Sequence, residues 1–282
     1  MKGVIMKRYF IKINESNVHI TEWGNSDNPV IFCLHGLGSS SLSFIEIGEG
    51  LLNQFRIISI DAPGHGKTTA FEQETDYEIP NMVSWISNIL DALKIDRFYF
   101  LSHSWGSFVA LHFLAHYPDR IKGSILIDGG YQIKREQEIS LEQEVDYYEK
   151  NFDDYIFDSW DDYLKEEQKN YQRWSSLLEL AVKDLMIEDN KKIRWHVRGK
   201  TARRMIHAMY KYETVDIYNL LPNSIILLRA TLPRDLEEHR DKIAKVFQQM
   251  TGGIVKPIKG TIHMLHWDKP DVVVAEILSS WI

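Results

Sequence analysis

The chain has 282 residues, with 33 Lys and Arg against 40 Asp and Glu, a formal net charge of −7. That acidic balance, with no basic block, argues against nucleic-acid binding, and a 44% hydrophobic content is that of an ordinary globular chain with a sizeable core. Cys33 is the only cysteine, so an internal disulfide is excluded, and the absence of any apolar run of about 18 residues argues against a transmembrane helix.

Two β-rich stretches, Arg8 to Glu15 and Val18 to Gly24, open the chain with turn residues Asn14 to Asn17 between them. The N-terminal stretch carries no apolar segment of signal-peptide length, and the expected location is the cytoplasm. From Val30 a pattern sets in. VIFCLHG is a short apolar run ending in Gly, the signature of a strand buried on both faces. Runs beginning at Phe55, Phe98, Ser124, Ser224 and Ile254 repeat it. Between Tyr77 and Leu93, the residues Met82, Ile86, Ile89, Leu90 and Leu93 keep helical spacing. The segment from Ser107 to His116 is apolar nearly all round and predicts a buried helix. The last segment starts at Pro270 and carries Val273, Ile277 and Trp281 at helical spacing. This strand–helix alternation predicts an α/β fold, a mostly parallel twisted sheet with helices on both faces. Ligands bind such sheets at the carboxyl ends of the strands.

One stretch breaks the pattern. From about Ile133 to Tyr218 no convincing strand is legible, and residues rich in Glu, Asp, Lys, Tyr and Trp read as amphipathic helices. The expected organisation is a core of residues 1–132 and 219–282 with a helical cap, 133–218, inserted above the sheet's ligand-binding edge. Its aromatic residues, Tyr147, Tyr148, Phe152, Tyr155, Phe157, Trp160 and Tyr163, would supply an apolar lining or simply its own core.

The strongest local signal is LSHSWGS, Leu101 to Ser107, between a predicted strand and a predicted helix. A nucleophilic serine on a strained strand-to-helix turn demands small residues two before and two after it. Ser102 and Gly106 meet that demand around Ser104. Ser102 fails as the nucleophile because Phe100, two residues back, is too bulky. A developing oxyanion needs backbone donors. The amide after the nucleophile, Trp105, supplies one, and Leu37, in the glycine-flanked HGLGSS loop, is the candidate for the other. His35 reads as structural. Of the 11 histidines, His263 follows the last predicted strand and is the candidate base, with His266 its rival. The acid that orients the imidazole has two candidates. Asp128 ends the strand SILIDGG, and Asp235 follows SIILLRA but opens a charged helical stretch that explains it as a helix-start residue. Asp128 is the first choice. The pairs His263 with His266 and His112 with His116 lack carboxylates or thiols at ligand spacing, so no metal or other cofactor is expected.

HGLGSS, DAPGHGKT (Asp61 to Thr68), SHSWGS and GTIHMLHWDKP occur in the order found in the α/β-hydrolase superfamily, which the chain resembles over roughly residues 8–130 and 224–282. Trp105 is similar to the residue that proline iminopeptidases carry after the nucleophile. Ser102 in place of Gly, and the lack of an Asp close to Ala230, depart from the family pattern. The resemblance implies acyl transfer to water on a small-molecule substrate, first of all a carboxylic ester. An aminopeptidase, which needs a cap carboxylate such as Glu142, Glu144, Asp146 or Glu149, another amide, lactone or C–C bond hydrolase, and a non-catalytic ligand-binding or signalling protein are the alternatives. A serine nucleophile argues against dehalogenase or epoxide-hydrolase chemistry, which in this fold uses Asp. The oligomeric state is not legible.

Overall fold

A computed structural model of the chain describes residues 6–282. Residues 1–5 of the expected core lie outside that range. The chain order of its regular elements begins β1 (Met6–Ile13), β2 (Ser16–Trp23), β3 (Val30–Leu34), α1 (Ile45–Leu51), β4 (Arg56–Ile60) and α2 (Ile79–Ala92). It continues through β5 (Phe98–His103), α3 (Trp105–His116) and β6 (Ile121–Ile127). An insertion follows: α4 (Leu141–Asp154), β7 (Ile156–Phe157), α5 (Trp160–Asn170), α6 (Ser176–Lys183), β8 (Met186–Asp189), β9 (Lys192–Trp195) and α7 (Gly199–Lys211). The chain then returns through β10 (Ile225–Ala230), α8 (Glu237–Thr251), β11 (Ile254–Ile258), α9 (Leu265–Asp268) and α10 (Pro270–Trp281).

Eight strands form one sheet in the order β1-β2-β4-β3-β5-β6-β10-β11. The pairs β1–β2 and β2–β4 are antiparallel, and every other pair is parallel. The expected α/β architecture is therefore present. In the central strands nearly every side chain is buried, and alternate ones go to different cores. Phe32, Leu34, Phe98, Phe100 and Leu126 pack with α2 and α3 on one face. Ile31, Cys33, Leu101, Ile125 and Ile127 pack with α1 and α10 on the other. That two-sided burial is why these strands read as continuous apolar runs. Register aligns their carboxyl ends: Leu34 pairs with Ser102, His103 with Ile127, and Ile127 with Leu228. The loops leaving β3, β5 and β6 thus emerge side by side.

The insertion corrects the expectation of helices alone. Its strands β7, β9 and β8 form a small antiparallel sheet. The β8–β9 hairpin turns on Asn190 and Lys191, both with positive φ (51° and 62°), as a two-residue hairpin loop requires. Runs of two to four residues are too short to show a period-two pattern, so they were not legible. The helices have local start signals: Ser140, Ser159 and Ser175 cap α4, α5 and α6, the first with a full capping box to Gln143. The insertion shares the sheet's cores. Met205, Ala208 and Met209 join one cluster; Tyr163, Leu178, Val182 and Ile193 join the other. No helix among the described residues is long and apolar enough to cross a membrane.

Candidate active site

Ser104 sits between the end of β5 and the start of α3 with φ 50° and ψ −120°, a conformation that costs a non-glycine residue energy. Close packing holds it there. Its amide donates to Ile127 O at 3.0 Å, and its carbonyl accepts from Ser107 N at 2.9 Å. A Cβ on Gly106 would lie 2.4 Å from Leu34 O, and one on Gly129 would lie 2.3 Å from Ser104 O. The small residue after the turn is thus a steric necessity. Gly129, next after Asp128, packs directly on the turn. Ser102 is tolerated where the family carries Gly because its buried hydroxyl pairs with that of Ser107 at 3.0 Å.

His263, on the loop between β11 and α9, brings Nε2 to 2.9 Å from Ser104 Oγ and Nδ1 to 2.7 Å from Asp128 Oδ2. Its side chain is 46% exposed, whereas that of Asp128 is 1% exposed. Asp128 directly follows β6, in the left-handed region (φ 42°), and β6 lies between β5 and β10. That placement lets Oδ1 accept from Ala230 N at 3.0 Å and from the Tyr131 hydroxyl at 3.1 Å. Burial pushes the Asp128 carboxyl up. The hydrogen bond and charge of His263, with the Ala230 amide, outweigh it and hold the group below its ordinary value. Burial and Asp128 raise the Tyr131 phenol, which stays a neutral donor. Asp235, the second candidate acid, is exposed in the single 3₁₀ turn Arg234–Leu236, while His263 Nδ1 is engaged by Asp128.

The rival His266 lies in α9, buried against Phe44, with Nε2 2.8 Å from Ser43 Oγ. Burial pushes it down to about 3. His103, unremarked in the sequence, donates from Nε2 to the His263 carbonyl at 3.1 Å. Its buried ring lies 4.8 Å from that of His263 and 4.5 Å from that of His266. Burial and those two rings hold it well below its ordinary value, so a neutral imidazole pins the His263 loop. The pair His112 and His116 bonds to backbone carbonyls, of Tyr212 and His112 respectively. No group of three or more His, Cys, Asp or Glu among the described residues is placed to hold a metal ion.

The glycine-rich loop after β3 is fixed on both sides of Leu37. Ser39 N donates to Gly36 O at 3.1 Å, and Gly38 N donates to His65 Nε2 at 3.1 Å. His35 is structural: Nδ1 donates to Gly36 O at 2.7 Å, and Nε2 accepts from Ala62 N at 3.0 Å. Burial and His35 push His65 down to about 3. The DAPGHGKT loop is organised by buried Asp61, which accepts from Ser41 N (2.6 Å), Lys67 N (2.8 Å) and His19 Nδ1 (2.7 Å). Burial alone would raise its carboxyl, but His19 and these amides hold it far below. The Trp105 amide, in the first turn of α3, has no intrahelical acceptor.

Leu37, Ser104, Trp105 and His263 line one cavity of about 130 Å³. It adjoins a larger one of about 920 Å³ along a shared wall that includes Gln132, Lys134, Glu144 and Tyr148. Of the insertion's aromatic residues, Tyr147 and Tyr148 reach these cavities. Phe152, Tyr155, Phe157 and Tyr163 pack on one another and on Trp195 instead. The Lys134 ammonium pairs with Glu144, both buried, and Tyr210 donates to the other Glu144 oxygen at 2.8 Å.

The family described as alpha/beta hydrolase fold matches residues 29–183, more than half of the chain. A serine hydrolase-like protein of Danio rerio is 34% identical over 106 residues, 38% of this chain and 32% of that protein. Matches to four such proteins span between 32% and 52% of their own length. Epoxide hydrolase 1 of Caenorhabditis elegans is 22% identical over 94% of this chain and 67% of that one. Among solved structures, a hydrolase from Rickettsia typhi superposes with a TM-score of 0.79 at 17% identity, covering 98% of this chain and 99% of that one, a likeness of fold. The chain belongs to the alpha/beta hydrolase fold family.

Proposed function

We propose that the protein is a serine hydrolase acting on a small acyl substrate, first of all a carboxylic ester, through an acyl-enzyme on Ser104. One observation carries this reading: the unbroken hydrogen-bonded chain from Ser104 Oγ through His263 to Asp128, at 2.9 and 2.7 Å. With Nδ1–H donating to Asp128, Nε2 is free to accept the serine proton. The Oγ–carbon bond forms, and the carbonyl oxygen becomes an oxyanion facing the Leu37 and Trp105 amides. The imidazolium, stabilised by ionised Asp128, then protonates the departing alkoxide as the carbon–oxygen bond breaks. Water repeats the sequence and releases the acid.

Residues 133–218 act in this reading as a cap over a core of 1–132 and 219–282. Lys134, Glu144, Tyr148, Ile206 and Met209, all from that segment, line the cavity at Ser104. The aminopeptidase alternative needs a free carboxylate for the substrate's ammonium. Glu144 lines the cavity, but Lys134 and Tyr210 engage both of its oxygens. Serine at position 104 speaks against epoxide opening, the activity in the name of the Caenorhabditis elegans relative. Labelling with a fluorophosphonate and mapping the adduct tests the reading. The adduct is expected on Ser104, and Ser104→Ala is expected to lose both label and ester turnover. A tag elsewhere, or turnover surviving the substitution, overturns it.

A further inference from the structure

The proposed reaction cuts a substrate in two, and the two halves face spaces of unequal size. The acyl carbon bonds to Ser104 Oγ with its oxygen toward Leu37 and Trp105, whereas the departing oxygen lies toward His263, which protonates it. The cavity of about 130 Å³ contains Leu37, Ser104 and Trp105 and is walled by Phe108 of α3 and by Ile206 and Met209 of α7. Those three walling side chains are buried. The cavity of about 920 Å³ includes His263 and Asp128 but none of Leu37, Ser104 and Trp105, and its lining reaches the exposed side chains of Ile139, Tyr147 and Leu236. His263 lines both spaces, whereas Leu37, Ser104 and Trp105 line only the small one, so in the proposed reaction the small space falls to the acyl half and the large one to the leaving group.

Resting on that reading of Ser104, we infer that the protein selects esters of a short acid with a long or bulky alcohol. A closed cavity of about 150 Å³ holds one benzene ring, so a space of about 130 Å³ suits an acyl group of about six carbons or fewer. The Lys134–Glu144 pair in the shared wall carries no net charge, so neither a cationic nor an anionic acyl group is favoured. The leaving group meets no such limit, because the larger cavity opens past Tyr147 and Leu236.

Octyl acetate and ethyl octanoate test this directly. They are isomers with primary alkoxide leaving groups, and they place the long chain on opposite sides of Ser104. Octyl acetate is expected to show a kcat/KM at least about 100-fold higher, because each methylene that a pocket cannot fit costs about ten-fold or more. Met209→Ala lengthens the acyl side and is expected to narrow the ratio. The ratio does not depend on how much of a variant folds, so a destabilised variant still reports. Equal use of the isomers, a preference for ethyl octanoate, or a ratio unmoved by Met209→Ala overturns the inference. Should the isomers be used equally while a small fluorophosphonate labels Ser104, the inference alone fails. Should neither labelling nor turnover occur, the proposed function fails and takes the inference with it.

Discussion

Exchanging Asp128 for Asn probes the tautomer of His263. The two side chains have nearly the same shape, and Asn tolerates the left-handed backbone at this position (φ 42°). The hydrogen bonds decide which way the new amide points. Oδ1 accepts from Ala230 N and from the Tyr131 hydroxyl, so the amide oxygen must stay there. Turning it around would leave the buried Ala230 N–H facing a donor, at a cost of about 1–3 kcal/mol. The NH₂ group therefore takes the place of Oδ2, 2.7 Å from His263 Nδ1. Nδ1 must then accept, which moves the ring proton to Nε2 and removes the acceptor for the Ser104 proton. Turnover is expected to fall about 10,000-fold, or about 5.5 kcal/mol of barrier, with the fold retained. Exposed Asp235, changed to Asn, should alter turnover by no more than about two-fold. The assay is kcat on a short-acyl ester, with thermal melting to verify folding. A folded Asp128→Asn variant within about ten-fold of the parent would refute the tautomer argument. A collapse caused by Asp235→Asn instead would move the acid.

Three further outcomes follow from the same geometry. Ser104→Gly is expected to be inactive yet more stable: relief of a strained φ is worth about 1–3 kcal/mol, less about 0.5–1 for the added freedom of the unfolded chain. A lowered melting temperature would count against strain at the turn. Asp61→Ala strands the buried donors of Ser41, Lys67 and His19 and is expected to cost about 3–5 kcal/mol in urea unfolding; a cost below about 1 would show that Asp61 does not organise the loop. Stability is also expected to fall on acidification. His65 and His266 are held down to about 3 in the folded state, so below about 6.5 the unfolded chain binds their protons and the folded chain does not. Each contributes a loss of about 1.4 kcal/mol per pH unit between those values, and Asp61 adds to it only below the ordinary carboxylate pKa of about 3.9. Urea midpoints that stay level from pH 7 to about 4 would contradict the burial of those two rings as neutral groups.

The sheet was legible in the amino-acid sequence because its central strands are buried on both faces, so runs such as Val30–Leu34 and Ile121–Ile127 carry their signal locally. The turn at Ser104 was legible for the same reason: the small residues it demands lie within two positions of it in the chain. The strands β7, β8 and β9 are not legible because two to four residues are too few to establish an alternation. In the sequence the preference for Asp128 over Asp235 rests only on Asp235 opening a charged helical stretch, since both follow a strand. The choice itself turns on β6 lying next to β5 in the sheet, a pairing across some two dozen residues of chain, and on the Ala230 amide that reaches Asp128 from β10. The pairing of Glu144 with Lys134 and the place of Met209 in the cavity wall beside Ser104 were equally hidden. Composition and periodicity report what each residue prefers, water or core, strand or helix. Which distant residues share a wall is set by how the packed layers bring loop ends together, and only the tertiary structure decides that.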